Sequence, residues 1–357
     1  MKEYNIIQNS KVESKKGERV LKSFLHILKR IVIILVVFII LVLGIIEVYP
    51  RVADRSSAEA KENSTNWMAS LDDSLLLGEI SIPGVHDAGA YNPNLSLFSK
   101  CQDATTYELL NAGYRYLDIR LEVSYVCGEP ILSICHGFVK CREGKTPFDS
   151  VLYLDKVLEE CYEFLDNNPS ETIIFVVKKE YGDEPISEFE SMLASYTDND
   201  YWLLTDRIPT LGEARGKIVL FRRYEDEAKL GKNSGILLDW SSQKDNSVTD
   251  LTAMHTDNDG LNTYVQDHYK YNADDKWSSF VGTIEETDDL LADKNAVVIN
   301  FLSTNGTAPY GHPYKYAKNL NKRFLDYEID AEKLGWVIVD FGTMEMAQKI
   351  YKQNFRE

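Results

Sequence analysis

The sequence predicts an α/β protein, built as a parallel barrel or sheet and preceded by one apolar N-terminal helix. Strand-like and helix-like segments alternate from residue 79 to residue 341, which is typical of parallel strands joined by helices. Polar residues stand at the C-terminal ends of several strand-like segments, and an uncharged run covers residues 31–46. A hydrophobic content of 44% with 27% charged residues fits a folded globular protein over most of the 357 residues.

The N-terminal region combines a basic tail with the apolar run. Residues 1–30 contain eight Lys and Arg against three acids, a net charge of +5, so the total of −17 leaves −22 for the remainder. We expect residues 1–30 to be a cytoplasmic tail and residues 31–50 a single-pass transmembrane signal anchor in the cell membrane, with the following domain outside the cytoplasm. Two alternatives are a buried core helix and a cleaved signal peptide, although no small-x-small site directly follows residue 46.

The anchor is followed by a polar segment and then by the main domain. Residues 51–75 are predicted to be a polar stalk, and residues 76–357 the folded domain. The strong negative charge argues against nucleic acid as a partner, because binding a phosphate backbone requires clustered Lys and Arg. It also opposes adsorption to an anionic membrane, so the anchor would have to keep the domain near lipid.

Within the domain, sequence periodicity predicts each element in turn. Strands are predicted at 79–82, 115–123, 131–137, 171–181, 216–224, 296–303 and 335–341. Helices are predicted at 150–168, near 187–195 and near 314–328. Pro83 and Gly84 predict a tight turn just before His86.

The polar residues at strand ends are candidates for a functional site. They are His86, Asp118, Arg120, His136, Lys178, Arg223 and Asp340. In a β/α-barrel the C-terminal ends of the strands converge on the active site, so we expect these side chains to meet. His86 and His136 can act as proton acceptor and donor, and Arg120 suits bidentate contact with a phosphate. Such a set fits cleavage of a phosphodiester by an internal hydroxyl.

The five cysteines give no metal-binding pattern. They are Cys101, Cys127, Cys135, Cys141 and Cys161, and no C-x-x-C pair occurs among them. An extracytoplasmic location would permit one or two disulfides. The alternative is a set of reduced, partly buried thiols.

Seven segments resemble the bacterial phosphatidylinositol-specific phospholipases C of the PLC X-domain family. They are SIPGVHDAGAY, YLDIRLE, ICHG, NPSETIIFVVKKEY, RGKIVLFRRY, YVQDHYKY and LGWVIVDF, in matching order over about residues 75–350. The resemblance implies a distorted (β/α)8 TIM-type barrel as the catalytic domain. It also implies a lyase reaction, in which the inositol 2-hydroxyl attacks its own phosphodiester to give diacylglycerol and inositol 1,2-cyclic phosphate.

The resemblance further implies a role for each matched residue. His86 would be the general base and His136 the general acid, with Asp340 orienting His86 as the acid does in a catalytic triad. Arg120 would hold the phosphate, and Asp87 would contact both Arg120 and the His136 side of the site. Inositol would be bound by Lys178, Arg223, Asp267 and Tyr269, the last stacking on the ring.

The implied partners are phosphatidylinositol or glycosylphosphatidylinositol lipids in a bilayer, and the protein is expected to be a monomer. The loop NLSLF, residues 94–98, carries apolar residues just after the first motif. Two interpretations of this loop are equally favoured: insertion into a bilayer and packing against the barrel rim.

Several of these residue assignments have alternatives. Asp87 could cap the turn after His86, and Asp340 could contact a helix N-terminus from its strand end. Only one residue of each neighbouring pair of cations can face a pocket, and the motif match favours Lys178 and Arg223 over Lys179 and Arg222.

No metal and no cofactor are expected, and Arg120 predicts calcium independence. It supplies positive charge where calcium-dependent relatives carry acidic ligands, although Asp118 and Glu122 keep a calcium site as an alternative. Two other functions are a metal-dependent glycerophosphodiester phosphodiesterase on a similar barrel and a non-enzymatic lipid- or inositol-phosphate-binding surface protein. The start HDAG in place of HRG argues against the first, and the presence of both histidines argues against the second.

Overall fold

The computed structural model describes residues 2–52, 64–244, 253–307 and 311–356. Its strands are β1 Ile82–Val85, β2 Tyr116–Val126, β3 Glu129–His136, β4 Val139–Lys140, β5 Ile173–Lys179, β6 Trp202–Leu203, β7 Ile218–Arg222, β8 Ile236–Leu237, β9 Met254–Asn258, β10 Leu261–Gln266, β11 Ala296–Phe301 and β12 Trp336–Val339. Its α-helices are α1 Lys2–Leu43, α2 Tyr49–Val52, α3 Ser96–Ser99, α4 Thr106–Asn111, α5 Leu154–Asn167, α6 Ile186–Thr197, α7 Leu211–Ala214, α8 Ala273–Leu290, α9 Pro313–Asp326 and α10 Met344–Tyr351. Short 3-10 helices cover Trp67–Ser70, Leu77–Glu79, Gly231–Ser234 and Lys352–Phe355, and a π-helical turn, Gly44–Val48, joins α1 to α2.

The strands form one sheet in which parallel pairing predominates. Its order is β6, β7, β5, β2, β1, β12, β11, β10 and β9, with β8 on β7, β3 on β2 and β4 on β3. The central pairs are parallel, whereas β9 joins β10 antiparallel. The prediction of an α/β fold is therefore confirmed. The closed barrel is not confirmed, because among the described residues the pairing runs from β6 to β9 without joining these two end strands.

Most predicted elements are present, with an error at the first strand. The predicted helices correspond to α5, α6 and α9, and six predicted strands correspond to β2, β3, β5, β7, β11 and β12. The predicted strand at 79–82 is wrong, since a 3-10 helix ends at Glu79 and β1 begins at Ile82. Pro83 and Gly84 consequently lie inside β1 and do not form the predicted turn before His86.

Gly84 is required where β1 passes between its neighbours. A Cβ at this position would lie 2.4 Å from Cδ1 of Ile338 on β12 and 2.9 Å from Cβ of Tyr116 on β2. A larger residue would clash with both side chains, and the Cβ of Tyr116 cannot rotate out of the way. The close packing of β2, β1 and β12 brings together the polar residues that extend beyond these strands.

The N-terminal helix is longer than the predicted anchor. A stretch within residues 15–51 is long and apolar enough to cross a membrane, and none of its most apolar window is buried. Ile34 and Phe38, for example, are exposed. The alternative of a buried core helix is therefore wrong. A membrane span and a signal sequence both fit this helix.

The second half of the predicted stalk belongs to the folded domain. Trp67, Met68 and Leu71 are buried in the main hydrophobic core. The Trp67 ring stacks on Tyr351 with 5.1 Å between centroids, and its Nε1 donates to the Gly113 carbonyl. The prediction erred because the polar average of this segment hides three large apolar residues. Residues 53–63 of the predicted stalk lie outside the described residues.

Candidate active site

A cavity of about 740 Å³ lies at the carboxyl ends of the central strands. Eight of the nine predicted site residues line it: His86, Arg120, His136, Lys178, Arg223, Asp267, Tyr269 and Asp340. The ninth, Asp87, is fully buried behind His136. Residues from distant parts of the sequence meet here because the carboxyl ends of parallel strands share one edge of the sheet.

His86 lies between an acid and a cation. Its Nδ1 is 2.8 Å from Oδ1 of Asp340, and its Nε2 is 2.8 Å from Nη2 of Arg120. Because a guanidinium only donates, Nε2 accepts, and the ring proton lies on Nδ1 and is donated to Asp340. Burial alone lowers the pKa of His86 and Arg120 lowers it further, but the carboxylates of Asp340 and Asp118 outweigh both and raise it above its ordinary value. The ring is thus oriented with its accepting nitrogen toward the cavity.

Replacing Asp340 with asparagine is expected to lower kcat on the order of 10²-fold and to change the pH profile. A base must be neutral, so activity falls as pH drops through the pKa of His86. Removing the carboxylate lowers that pKa, and the acidic limb of the kcat/KM profile should therefore move to lower pH. Asp326→Asn, at an exposed ion pair with Lys322, is the matched control. An acidic limb that does not move in Asp340→Asn would contradict the assignment of that limb to His86.

His136 forms the second histidine–carboxylate pair. Its Nδ1 lies 2.5 Å from Oδ2 of Asp87. The Asp87 backbone has a φ of 45°, a left-handed conformation, and its amide donates to Oδ2 of Asp118 over 3.1 Å. The other oxygen, Oδ1, has no hydrogen-bond partner among the described residues. The alternative that Asp87 caps the turn is therefore wrong, because its carboxylate is directed to His136.

Arg120 is held by two acids, neither of which is Asp87. Its Nη2 and Nε lie 3.1 and 3.2 Å from Oδ2 of Asp118, and its Nη1 lies 3.3 Å from Oε1 of Glu180. Burial alone would raise the pKa of both acids, but Arg120 and its neighbouring cations hold the pKa of Asp118 well below its usual range and lower that of Glu180 to about 2. Both acids are therefore ionised at neutral pH. The predicted contact between Asp87 and Arg120 is wrong, and Asp118 takes that place.

The sequence pattern placed Asp118 among the strand-end candidates but gave it no contact or role in the site. The signal was present, since Asp118 and Arg120 alternate along β2 and must share a face. The pattern did not indicate that the side chain of Arg120 would hydrogen-bond to Asp118 on the same strand.

One residue of each neighbouring pair of basic residues lines the cavity, namely Lys178 and Arg223. Lys178 lines it and forms an ion pair of 2.6 Å with Glu180, as the shared face predicted. Lys179 and Arg222 donate to backbone carbonyls and do not line the cavity.

The other end of the cavity is aromatic. The guanidinium carbon of Arg223 lies 3.5 Å from the ring centroid of Trp240, whose Nε1 donates to Oδ2 of Asp267 over 3.2 Å. Tyr269 lines the same end, with its hydroxyl 2.8 Å from Oγ of Ser242. Trp240 therefore fixes two predicted binding residues at once. No sequence signal marked it, because it follows the short strand β8 in a segment without clear periodicity.

All five cysteines are free thiols, so the permitted disulfides are not formed. Cys101 is buried with its Sγ 3.8 Å from Nδ1 of His136, and burial raises the pKa of this thiol. Two groups that contain Cys101 are close enough to hold a metal, one with His86 and Asp340 and one with Asp87 and His136. Each group contains the residues of one histidine–carboxylate pair, so a metal there would compete with that contact.

The two acids considered as calcium ligands have other partners. Glu122 does not line the cavity; it accepts from Oγ of Ser133 and lies 3.2 Å from Nζ of Lys140. Asp118 is paired with Arg120. Both carboxylates are therefore paired with a basic side chain.

Two histidine–carboxylate pairs thus lie at one cavity, and the guanidinium of Arg120 is hydrogen-bonded to His86. This arrangement suits an α/β enzyme site for acid–base chemistry on an anionic substrate, since an imidazole can accept or donate a proton and a guanidinium can stabilise negative charge.

Comparisons with known proteins identify the family. The sequence profile "Phosphatidylinositol-specific phospholipase C, X domain" matches residues 82–224. The 1-phosphatidylinositol phosphodiesterase of Staphylococcus aureus (strain Newman) is 31% identical over 312 residues, covering 80% of this chain and 91% of the relative. Solved phosphatidylinositol-specific phospholipases C from S. aureus and Listeria monocytogenes align at TM-scores of 0.62 and 0.58, with 28% and 25% identity, covering 82% and 81% of this chain and 97% and 98% of theirs. The chain belongs to the phosphatidylinositol-specific phospholipase C family, and the resemblance seen in the sequence is confirmed.

Proposed function

We propose that this enzyme cleaves phosphatidylinositol by attack of the inositol 2-hydroxyl on the neighbouring phosphodiester, releasing diacylglycerol and forming inositol 1,2-cyclic phosphate. The observation that carries the proposal is the pair of histidine–carboxylate contacts with Arg120 bonded to His86. Family membership supports the phospholipase C activity itself. The intact site and the family together favour an enzyme over a non-enzymatic lipid-binding protein.

The first half of the reaction is assigned to His86. A phosphate oxygen that accepts from Arg120 takes over its Nη2 N–H, and this releases Nε2 of His86. That nitrogen then accepts the 2-hydroxyl proton while the 2-oxygen bonds to phosphorus. The positive charge gained by the ring is stabilised by Asp340, which already accepts from Nδ1.

The second half is assigned to His136. With Nδ1 bonded to Asp87, its Nε2 is free to donate a proton to the glycerol oxygen as the phosphorus–oxygen bond breaks. The proton balance is one gained by His86 and one lost by His136, and exchange with water restores both. Arg120 stabilises the negative charge on the non-bridging oxygens.

Inositol recognition is assigned to the aromatic and charged end of the cavity. Lys178, Arg223 and Asp267 offer donors and acceptors for ring hydroxyls, and Tyr269 offers a flat surface for the ring. The same groups would accept glycosylphosphatidylinositol, since the inositol ring is common to both lipids.

Metal independence is part of the proposal. Arg120 supplies the cation that a metal would otherwise provide, and the acids around it are paired. This also disfavours a metal-dependent glycerophosphodiester phosphodiesterase, because such chemistry needs unpaired acidic ligands.

The proposed architecture is a monomeric distorted barrel held at the cell membrane by the N-terminal helix. Residues 1–30 would be the cytoplasmic tail and residues 31–50 the single-pass span, with the domain outside. The run of uncharged residues and the basic flank support this orientation.

The test uses the full-length protein and phosphatidylinositol in detergent mixed micelles with excess chelator. We expect diacylglycerol release at a rate that added calcium does not change, and no release from phosphatidylcholine because it lacks the inositol hydroxyl. Diacylglycerol release that begins only when calcium exceeds the chelator would contradict the metal-free mechanism. Equal cleavage of both lipids would contradict the inositol assignment.

A further inference from the structure

The apolar helix leads directly into contacts with the folded domain. α1, the π-helical turn and α2 follow one another without an intervening loop, from Lys2 to Val52. The end of this continuous helix contacts the folded domain through residues 47–51, which we call the mount. The proposed span is therefore shortened to residues 31–46, because residues 47–50 form these contacts. No flexible linker therefore separates the apolar segment from the mount.

Arg51 is the central contact of the mount. Its side chain is 2% exposed, and its Nη2 donates to the Pro93 carbonyl at 2.8 Å and to Oε2 of Glu47 at 3.1 Å. A longer contact of 3.4 Å reaches Oδ1 of Asn94. Burying a guanidinium has a desolvation cost, and these contacts offset it in part, since Nε and Nη1 have no hydrogen-bond partner among the described residues.

The partner surface adds two reciprocal contacts. The amide of Leu95 donates to Oε1 of Glu47 over 2.5 Å. The Nζ of Lys100, also buried, donates to the Pro50 carbonyl over 3.1 Å and pairs with Asp103 at 2.8 Å. Hydrogen bonds therefore cross the contact from Arg51, Leu95 and Lys100. The two ion pairs each lie on one side of it.

The mount binds a wall of the active-site cavity. The residues of the domain that hydrogen-bond to the mount lie between 93 and 100, and we call this stretch the rim segment. Leu95, Phe98 and Ser99 of the rim segment line the cavity. Apolar groups are exposed at the same mouth, since Leu95 is 38% exposed and Phe138 is 67% exposed. The helix that would emerge from the bilayer thus ends beside the opening through which lipid must enter.

We propose that the mount holds the cavity mouth at the surface of the membrane that contains the N-terminal helix, so that the enzyme draws its lipid substrate from its own membrane. This rests on the proposed phospholipase activity and membrane anchor. Residues 31–357 carry a net charge of −22 and are repelled by anionic lipid, so the domain would adsorb poorly by itself. A rigid attachment to the membrane helix keeps it at the surface despite this repulsion. Fixing the mouth at the interface raises the effective lipid concentration without any basic surface.

The decisive experiment moves one flexible insertion along the chain. Six Gly and Ser residues are placed either between Ile46 and Glu47, before the mount, or between Ser56 and Ser57, after it. Full-length proteins are reconstituted into vesicles, with phosphatidylinositol either in the same vesicles or in separate protein-free vesicles. A soluble short-chain phosphatidylinositol below its micelle concentration measures the intrinsic activity of each variant.

We expect the insertion before the mount to lower the same-vesicle rate by about tenfold, with an unchanged rate on the soluble substrate. The insertion after the mount should leave both rates at the wild-type level, since the mount stays joined to the apolar helix. Equal same-vesicle rates in the two insertion variants would overturn the proposal. A wild-type protein that does not hydrolyse the soluble substrate, or does not float with its vesicles, would overturn the proposed function or the anchor, and this inference with it.

A point variant tests the same contact without changing chain length. Arg51→Ala should lower the same-vesicle rate while retaining the rate on the soluble substrate. Arg207→Ala is the matched control, because Arg207 also pairs with a glutamate, Glu213, on an exposed surface outside the mount. An Arg51→Ala protein with wild-type rates in both assays would overturn the role of this residue in the mount.

Discussion

Replacing His86 with alanine is expected to lower kcat on phosphatidylinositol by about 10³-fold or more. The substitution removes the nitrogen that would accept the 2-hydroxyl proton, and it leaves Asp340 and Arg120 without the imidazole between them. KM should change little, because the proposed inositol-binding side chains are retained. The measurement is the initial rate of diacylglycerol release by the full-length protein in mixed micelles.

His255 provides the matched control for this variant. It lies exposed on β9, with its Nε2 2.8 Å from Oδ1 of Asn262, and it does not line the cavity. His255→Ala should therefore retain the wild-type rate. A His86→Ala protein whose rate stays within about tenfold of wild type would remove His86 from the role of general base.

Replacing His136 with alanine is expected to lower kcat on phosphatidylinositol by about 10³-fold, through the opposite half of the reaction. The leaving group is a glycerol alkoxide, which departs with difficulty unless it is protonated. An inositol phosphate ester of nitrophenol has a leaving group that is stable as an anion and needs no proton. On that ester the loss in His136→Ala should shrink to about tenfold or less, because the missing acid is no longer required.

The leaving-group comparison separates catalysis from structural damage. A misfolded or distorted His136→Ala site would lose activity on both substrates by the same factor. Equal losses would therefore contradict the general-acid assignment. Two controls are used. Spectra that report folding should match those of the wild type, and His255→Ala should be assayed on both esters.

Much of the site could be predicted because parallel strands impose a simple rule. Once 115–123, 171–181 and 335–341 were recognised as strands, Arg120, Lys178 and Asp340 had to lie at one edge of the sheet. The resemblance to a family then assigned roles to residues that spacing alone could only bring together. Asp267 and Tyr269 were assigned through the resemblance alone, because no strand was predicted before them. With them, eight of the nine predicted side chains line one cavity.

The errors have equally specific causes. Pro83 and Gly84 have the composition of a turn, but here Gly84 lets β1 pass close to Ile338 and Tyr116. Packing of this kind depends on partners more than 30 residues away, which local propensity does not register. The contact of Asp118 with Arg120 was missed for a related reason, since an arginine side chain can fold back along its own strand.

The attachment of the anchor could not be predicted from composition. Residues 51–75 average as polar, yet Arg51 is buried against the rim segment and Trp67 is buried in the core. The burial of Arg51 gives no periodic signal in the sequence, because it depends on hydrogen bonds to Glu47 and to the carbonyl of Pro93. The same polar composition would describe a flexible stalk and a docked segment.

The central claim is that His86 accepts and His136 donates the proton, and one crossed measurement tests it most directly. Both alanine variants are assayed on phosphatidylinositol and on the nitrophenyl ester in excess chelator. The predicted result is that the ester rescues His136→Ala and leaves His86→Ala impaired, because every substrate still needs its 2-hydroxyl deprotonated. Rescue of His86→Ala in place of His136→Ala, or equal losses in both variants on both substrates, would contradict it.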